Sequence, residues 1–401
     1  MTATTAEWLR TADQWKLGRV KDHVDLVNGF PFDSARFNQT AGTPVIRIRD
    51  LLVGETETYF DGPVPANVMI YPGDLVIGMD GDFNAVTWTG RPAALNQRLC
   101  VLRARPSMDQ RFLSYLIPIP LRAINDVTYA TTVKHLSSID LLAERVVVPP
   151  LDAQIAIANY LDAEIGRIEA LIAKKQRIVE LIDERLRVVS TELLSSQPGW
   201  PLKRLLSAPM AYGVLVPRFV ANGEGVPMLR INNLDLNGYI KMDEVTWIES
   251  DLSWQYRRTV IKPGDLVLSV VGSMGRSAVV PLGANGWNLN RPLARLQTGS
   301  EMLSRILWHW TRTTGFLMEA TLAASSGAAQ PTLNLGDLAN FNVGLPTNRD
   351  MWPQLLESLE RQWSRTDEIR HRLLKQCDAL TERRQAVITA AVTGQSHTGG
   401  S

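Results

Sequence analysis

The chain has 401 residues, a formal net charge of +1, 45% hydrophobic and 21% charged residues, which is ordinary for a globular protein of two or three domains. Its two cysteines, Cys100 and Cys377, offer neither a disulfide framework nor metal-ligand spacing, so a reducing compartment is expected. The start lacks a signal-peptide pattern and no apolar run reaches about 18 residues, so a cytoplasmic protein with no membrane contact is expected.

In chain order, a β-rich part comes first. Short apolar runs bounded by Gly, Pro and Asp turns read as strands: VIRIRDL (45–51), PGDLVIGM (72–79), QRLCVLR (97–103) and ERVVVPP (144–150). FLSYLIPIPLRAI (112–124) reads as helix between them. Pro149-Pro150 ends the last strand, and Asp152 is the expected N-cap of a long helix. Across 151–197, Ile165, Ile168, Ile172, Val179, Ile182, Leu186, Val189 and Leu193 step by threes and fours, the a/d spacing of a coiled coil, interrupted at Lys175. Pro198-Gly199 closes this helix. A second β-rich part runs over 198–346, with helix expected over 303–322. A second long helix occupies 347–395, with a weaker seam of Ile369, Leu373, Cys377, Leu380, Val387 and Ala391, and Gly394 closes it. Residues 396–401 form a short tail.

The two halves repeat one another. QWKLGRV (14–20) is echoed by GWPLKRL (199–205), VIRIRDL (45–51) by MLRINNL (228–234), YPGDLVIGMDG (71–81) by KPGDLVLSVVG (262–272), and LNQRLCVL (95–102) by LNRPLARL (289–296). VKHLSSIDLLAERVVVPP (133–150) shares its hydrophobic pattern with QPTLNLGDLANFNVGLPT (330–347), and the helix at 161–176 aligns without a gap with 359–374. Six echoes in one order mark a duplication. The expected fold is α+β: two similar domains with curled β-rich cores, 1–150 and 198–346, separated by two long antiparallel coiled-coil helices about a pseudo-twofold axis.

No catalytic apparatus is legible. The five histidines are scattered, with no metal-ligand spacing, no GxxxxGK[ST] phosphate loop, no GxSxG elbow and no Cys/His pair at a recognisable spacing. No catalytic residue, metal or bound cofactor is therefore assigned. Residues 1–150 carry 15 basic and 16 acidic groups, and 199–346 carry 13 and 10, so neither part is strongly basic and nucleic-acid affinity would rest on local patches or partners. What both parts carry is planar amide and guanidinium side chains beside expected turns, the groups that make bidentate contacts to purine edges. In the first these are Arg47, Arg49, Asp82, Asn84, Asn96, Gln97, Arg98, Lys134 and His135. In the second they are Arg230, Asn232, Asn233, Ser273, Arg276, Asn288, Asn290, Arg291, Gln330 and Asn334.

The stretches PGDLVIGMDGDFNAVTW…LNQRLCVL, TTVKHLSSIDL…VVVPPLDAQIAIANYLDAEIGRIEALIAKKQRIVELI and the closing ERRQAVITAAVTGQ resemble the specificity subunit of type I DNA restriction-modification systems, from about Trp15 to Gln395. The second copy departs from the pattern at PTNRDMWPQLLESLE, which lacks the usual helix entry. The resemblance implies two target-recognition domains, each reading part of a bipartite double-stranded DNA sequence, and helical regions that set the gap and dock two modification subunits. Those partners would hold S-adenosylmethionine and methylate adenine, and restriction/translocase subunits would complete the complex. Two other readings stand beside it: a non-catalytic scaffold with two protein- or glycan-binding domains on a coiled coil, and the recognition subunit of a nuclease-free methylation or defence complex.

Overall fold

A computed structural model describes residues 15–127, 134–235, 237–272, 274–324 and 331–394. Two compact units divide the chain, one of residues up to 174 together with those from 376, the other of residues 175–375. Ser273 and Gln330 lie outside the described residues.

In the first unit a four-stranded antiparallel sheet holds Val24–Asn28, Leu99–Ala104, Leu75–Gly78 and Ala85–Thr87, in that order. The strand residues are apolar without alternation because both faces are covered. Leu75, Ile77, Cys100 and Leu102 point into a core shared with the helices, while Val76, Leu99 and Val101 point into a second core with Ile46, Ile70 and Trp88. A five-stranded sheet closes that second face, ordered Phe37–Asn38, Tyr59–Phe60, Thr43–Ile46, Ala93–Leu95, Met69–Ile70. The strand Lys16–Arg19 pairs with Arg145–Val148, which brings the beginning of the unit beside the start of the long helix. Each fully buried Leu, Ile or Val contributes about 1.5–3 kcal/mol, so these two cores, with a third of Phe32, Val45, Phe60, Val68 and Ala94, carry the unit.

The second unit repeats the plan. Ala211–Tyr212, Leu293–Leu296, Leu266–Ser269 and Ser277–Val279 form its four-stranded sheet, and Phe219–Val220, Thr246–Ile248, Val226–Leu229 and Asn288–Leu289 the other. Leu266, Leu268, Ala294 and Leu296 face the helices, and Val267 and Leu293 face the opposite core. Gly199–Pro201 pairs with Asn342–Gly344 as the first unit's edge strands do. The class expected from sequence, mixed helix and open curled sheets with long helices, is the one observed.

Both stretches expected as single shorter helices are broken. The first divides into Gln110–Leu116 and Pro118–Val127, because Pro118 has no N–H to continue the ladder and starts a new helix. The second divides into Glu301–Trp310 and Thr314–Ala323, where the Thr313 hydroxyl accepts from the Phe316 N–H and caps the second piece. The first long helix spans Leu151–Ser195, so Asp152 lies inside its first turn rather than capping it. There its carboxylate still favours the helix N-terminus. The second long helix spans Trp352–Thr393, preceded by a 3-10 turn, Arg349–Met351, whose cap is the Asn348 side chain. Gly394 ends it with φ +68°.

In the first unit Ile157, Leu161, Ile165 and Ile168 are buried in one core with Ala391 and Val392, and Ile172, Leu380 and Val387 pack against it. Arg383 and Arg384 reach across to Glu164 and Glu169, at 3.3 and 3.2 Å. In the second unit Leu194 shares a core with Trp352, Leu355 and Leu359, while Asp183, further back on its helix, meets Arg370, further on along the other. The pair there runs antiparallel. Leu186 and Cys377 are buried, and Val179, Ile182, Val189, Leu193 and Leu373 are half-buried. Ile369 is a correction: it is 50% exposed, and Arg370 takes the seam position with 2% exposure. Counting back from Cys377 and Leu373 in alternating steps of four and three arrives at Arg370, then at Trp363 after a further seven. The guanidinium lies over the Trp363 ring and pairs with Asp183 (3.6 Å) and Asp367 (3.5 Å).

Candidate nucleic-acid interface

The strands Thr43–Ile46 and Ala93–Leu95 are parallel neighbours, Val45 beside Ala94 and Ile46 beside Leu95, so the segments after them leave at the same end. The first of these segments is the turn around Arg47–Asp50. The Asp50 carboxylate accepts from the Arg47 N–H (3.0 Å) and the Thr56 hydroxyl (3.2 Å), and burial raises its pKa above the ordinary carboxylate value. The Arg47 side chain donates to Thr58. The second segment is Asn96–Arg98. The Asn96 N–H donates to the Ile46 carbonyl (3.1 Å), and the Asn96 side-chain oxygen accepts from the Gln97 N–H (2.9 Å). Gly29 runs beneath this turn so closely that a Cβ there would lie 2.0 Å from the Asn96 carbonyl oxygen.

Two further segments join them. The turn between Leu75–Gly78 and Ala85–Thr87 carries Gly81 at φ +76° and Phe83 at φ +50°. A left-handed conformation costs a phenylalanine about 1–2 kcal/mol, and burying its ring, 2% exposed, offsets that with about 1.5–3 kcal/mol. The Gly81 N–H donates to the Lys134 carbonyl, the Leu136 N–H to Met79, and the Met79 N–H to Arg98, which ties all the segments into one cluster. Asp80 completes it, accepting from His135 Nδ1 at 2.7 Å and facing Arg98 Nε at 3.6 Å. Arg49, Asp82, Asn84, Gln97, Arg98 and His135 are exposed on this surface. Lys134 is turned inward, its ammonium on the Asn125 carbonyl and side-chain oxygens at 3.1 Å each.

The second unit builds the same surface from its own residues. Val226–Leu229 and Asn288–Leu289 are its parallel pair. Asn233 accepts from the Arg230 N–H (2.8 Å) as Asp50 does from Arg47, and Asn290 accepts from the Arg291 N–H (2.9 Å) as Asn96 does from Gln97. Gly213 lies under the turn, where a Cβ would meet the Leu289 and Asn290 carbonyls at 2.3 and 2.4 Å. Gly272 and Gly275 have φ +71° and +86°, and Gly275 stands where the first unit has Phe83, since the Ser269 N–H donates to Arg276 as Gly78 does to Asn84. The Gly272 N–H donates to the Pro331 carbonyl, and the Leu333 N–H to Val270, as the 134–136 segment does in the first unit. Asn232 and Arg291 are exposed, and Arg230 and Arg276 half-buried.

Two residues expected as contacts are framework instead. Asn233 is 3% exposed and donates to the Lys241 and Glu244 carbonyls, and Asn288 is fully buried, accepting from Thr259 Oγ1 (2.6 Å) and donating to Ser253 Oγ (3.1 Å). Asn288 occupies the strand position that is Ala94 in the first unit, so its amide has no route outward. Asn334 caps the short helix Leu335–Leu338 through the Gly336 N–H at 2.8 Å. Sequence reasoning missed Gly29 and Gly213, although a glycine stands in both VNGF and AYGV. Neither Asp80 nor Phe83 is singled out by the sequence. No cluster of His, Cys, Asp or Glu suited to a metal occurs among the described residues, and none of their helices is long and apolar enough to cross a membrane.

Each unit thus presents a surface of exposed amides and guanidiniums, held by main-chain bonds at the end of a parallel strand pair. Residues 12–180 match the family model of the Type I restriction modification DNA specificity domain. The chain is 28% identical over 413 residues to the type I restriction enzyme EcoBI specificity subunit of Escherichia coli, covering 96% of this chain and 86% of that one. A solved chain from work on complex assembly and conformational transition of the type I R-M system superposes with a TM-score of 0.61 at 16% identity, covering 95% of this chain and 98% of the other. Over residues 12–180 the chain matches the DNA specificity domain of type I restriction-modification systems, and over nearly its whole length it is similar to a specificity subunit of such a system.

Proposed function

We propose that the chain reads a bipartite DNA target, one half with each turn cluster, and directs adenine methylation and restriction by partner subunits. In this reading residues 1–150 and 198–346 are the two target-recognition domains, and the helical regions 151–197 and 347–395 set the gap between half-sites. Two modification subunits dock on the helices and hold S-adenosylmethionine, and restriction/translocase subunits complete the assembly. The observation that carries the reading is the repetition of one turn framework with different exposed side chains, Gln97 against Arg291 and Arg49 against Asn232. A second observation supports docking along the helices: Leu171, Ile178, Leu181 and Val188 form an exposed apolar stripe on the first long helix, beside its buried seam. The near-neutral charge is consistent with partners supplying much of the phosphate contact. Exchanging residues 1–150 for the matching domain of a homologous subunit, followed by methylome sequencing in a host expressing the partners, should change one half of the methylated motif and leave the other intact. A motif that changes in both halves, or in neither, sinks the two-reader model.

A further inference from the structure

We infer that base choice is made at two positions in each unit: Arg49 and Gln97 in the first, Asn232 and Arg291 in the second. The inference rests on the proposed two-reader function and adds which side chains read and which base each selects.

The duplication separates framework from reader. Residues that keep their role between the copies are spent inward. Arg47 and Arg230 begin the first turn of each cluster, half-buried, and Asp50 and Asn233 bond back to their backbone N–H groups. Asn96 and Asn290 each cap the next residue of the second turn. The residue after each anchor is free of this duty. The Gln97 and Arg291 N–H groups are held by the anchors at 2.9 Å, which fixes where the side chain starts, and both side chains are exposed with no hydrogen bond or ion pair to another described residue. In the first turn Asn232 is exposed and likewise uncommitted. Arg49, whose side chain is 68% exposed, forms an ion pair among the described residues with Asp50 alone, at 3.5 Å. An exposed ion pair of that kind is weak and yields readily to a better acceptor. Because the strands before the two turns are parallel in both units, each unit presents its two readers from adjacent strand ends.

The neighbouring places do not carry an exposed reader in both copies: Arg98 is matched by Pro292, which has no polar side chain, and Asn84 is matched by Arg276, which is half-buried. In the major groove an arginine pairs with O6 and N7 of guanine, and an asparagine or glutamine with N6 and N7 of adenine. The half-site under the first unit therefore holds a guanine at Arg49 and an adenine at Gln97. The half-site under the second holds an adenine at Asn232 and a guanine at Arg291. The two units use the same pair of bases with the turns exchanged.

The test is methylome sequencing of hosts carrying the full chain as Gln97→Arg or Arg291→Gln together with its own partner subunits. Gln97→Arg should replace one adenine by guanine in one half of the motif, and Arg291→Gln one guanine by adenine in the other, with a preference ratio of roughly ten- to a hundredfold. Gln97→Ala and Arg291→Ala should make the same positions degenerate. Active variants with an unchanged motif overturn the inference. So does loss of all methylation in both the exchange and the alanine variant at unchanged melting temperature, since a lost reader relaxes one base. If domain exchange shifts one half of the motif while these substitutions shift nothing, the two-reader function stands and this assignment falls. If domain exchange itself shifts nothing, the function fails first.

Discussion

Asp74 with Arg103 and Asp265 with Arg295 are the same ion pair made twice, each fixing a Pro-Gly-Asp turn to the central strand beside it. The distances are 2.9 and 2.7 Å, but the second pair is more deeply buried, 10% and 7% exposed for Arg295 and Asp265 against 35% and 13% for Arg103 and Asp74. Removing one member of a buried pair strands the other charge without solvent, at a cost of about 3–5 kcal/mol. Asp265→Ala should therefore destabilise the second unit by that amount in urea unfolding, and Asp74→Ala the first unit by visibly less; equal losses would mean burial is not what sets the cost. His309 makes a prediction about pH. Burial, reinforced by Arg312 and Arg305, pushes its pKa down to about 3 from 6.5. The folded state keeps it neutral, while the unfolded chain takes up a proton below 6.5. Stability from this residue is thus intact above pH 6.5 and falls progressively as the pH drops toward 3. Substituting His309→Gln should flatten that part of the stability–pH curve, and an unchanged slope would assign it to other groups.

The long helices show what periodicity can and cannot locate. The apolar residues at Ile165, Ile168 and Leu186 announce their own burial, and they are buried. On the second helix the rule "choose the apolar residue" selects Ile369, whereas strict three-four alternation selects Arg370, and the alternation is right because a guanidinium lying on Trp363 between two carboxylates satisfies the seam. Neither the ring nor the two aspartates is visible at the right distance in a linear sequence. The two neighbours separate the alternatives by experiment. Ile369→Ala should stay within about 0.5 kcal/mol, as surface changes do, while Arg370→Ala should cost about 1–3 kcal/mol by emptying a buried seam position and taking the guanidinium from Asp367, which keeps its bond from Tyr239, and from the half-buried Asp183. Thermal unfolding of both variants is the measurement, and the reverse order would restore the apolar register. The short helices read as unbroken for a related reason: apolar residues continue through Ile117 in the first and resume at Phe316 and Leu317 beyond polar residues 311–313 in the second, but Pro118 and the Thr313 cap start a new helix in each.

Across the whole chain, duplication was the strongest signal in the sequence, and it reappears strand for strand in the two central sheets. The candidate surface was partly legible, because amides and guanidiniums beside turns can be read from the sequence. Whether such a side chain faces out or in could not be read, since Asn288 and Asn290 differ by two residues yet one lies inside a strand and the other at its end. Main-chain closeness was equally hidden. Gly29 and Gly213 admit no side chain, because the carbonyls of the turn above stand where a Cβ would go. That contact has an evolutionary consequence. The glycine and the capping asparagine hold the turn whatever residue stands next to the cap, so Gln97 and Arg291 can be exchanged for other residues at little expense in folding free energy. Selection for a stable protein and selection for a new target then act on different codons. Each copy can drift to another recognition sequence through substitutions that remain above the stability threshold throughout.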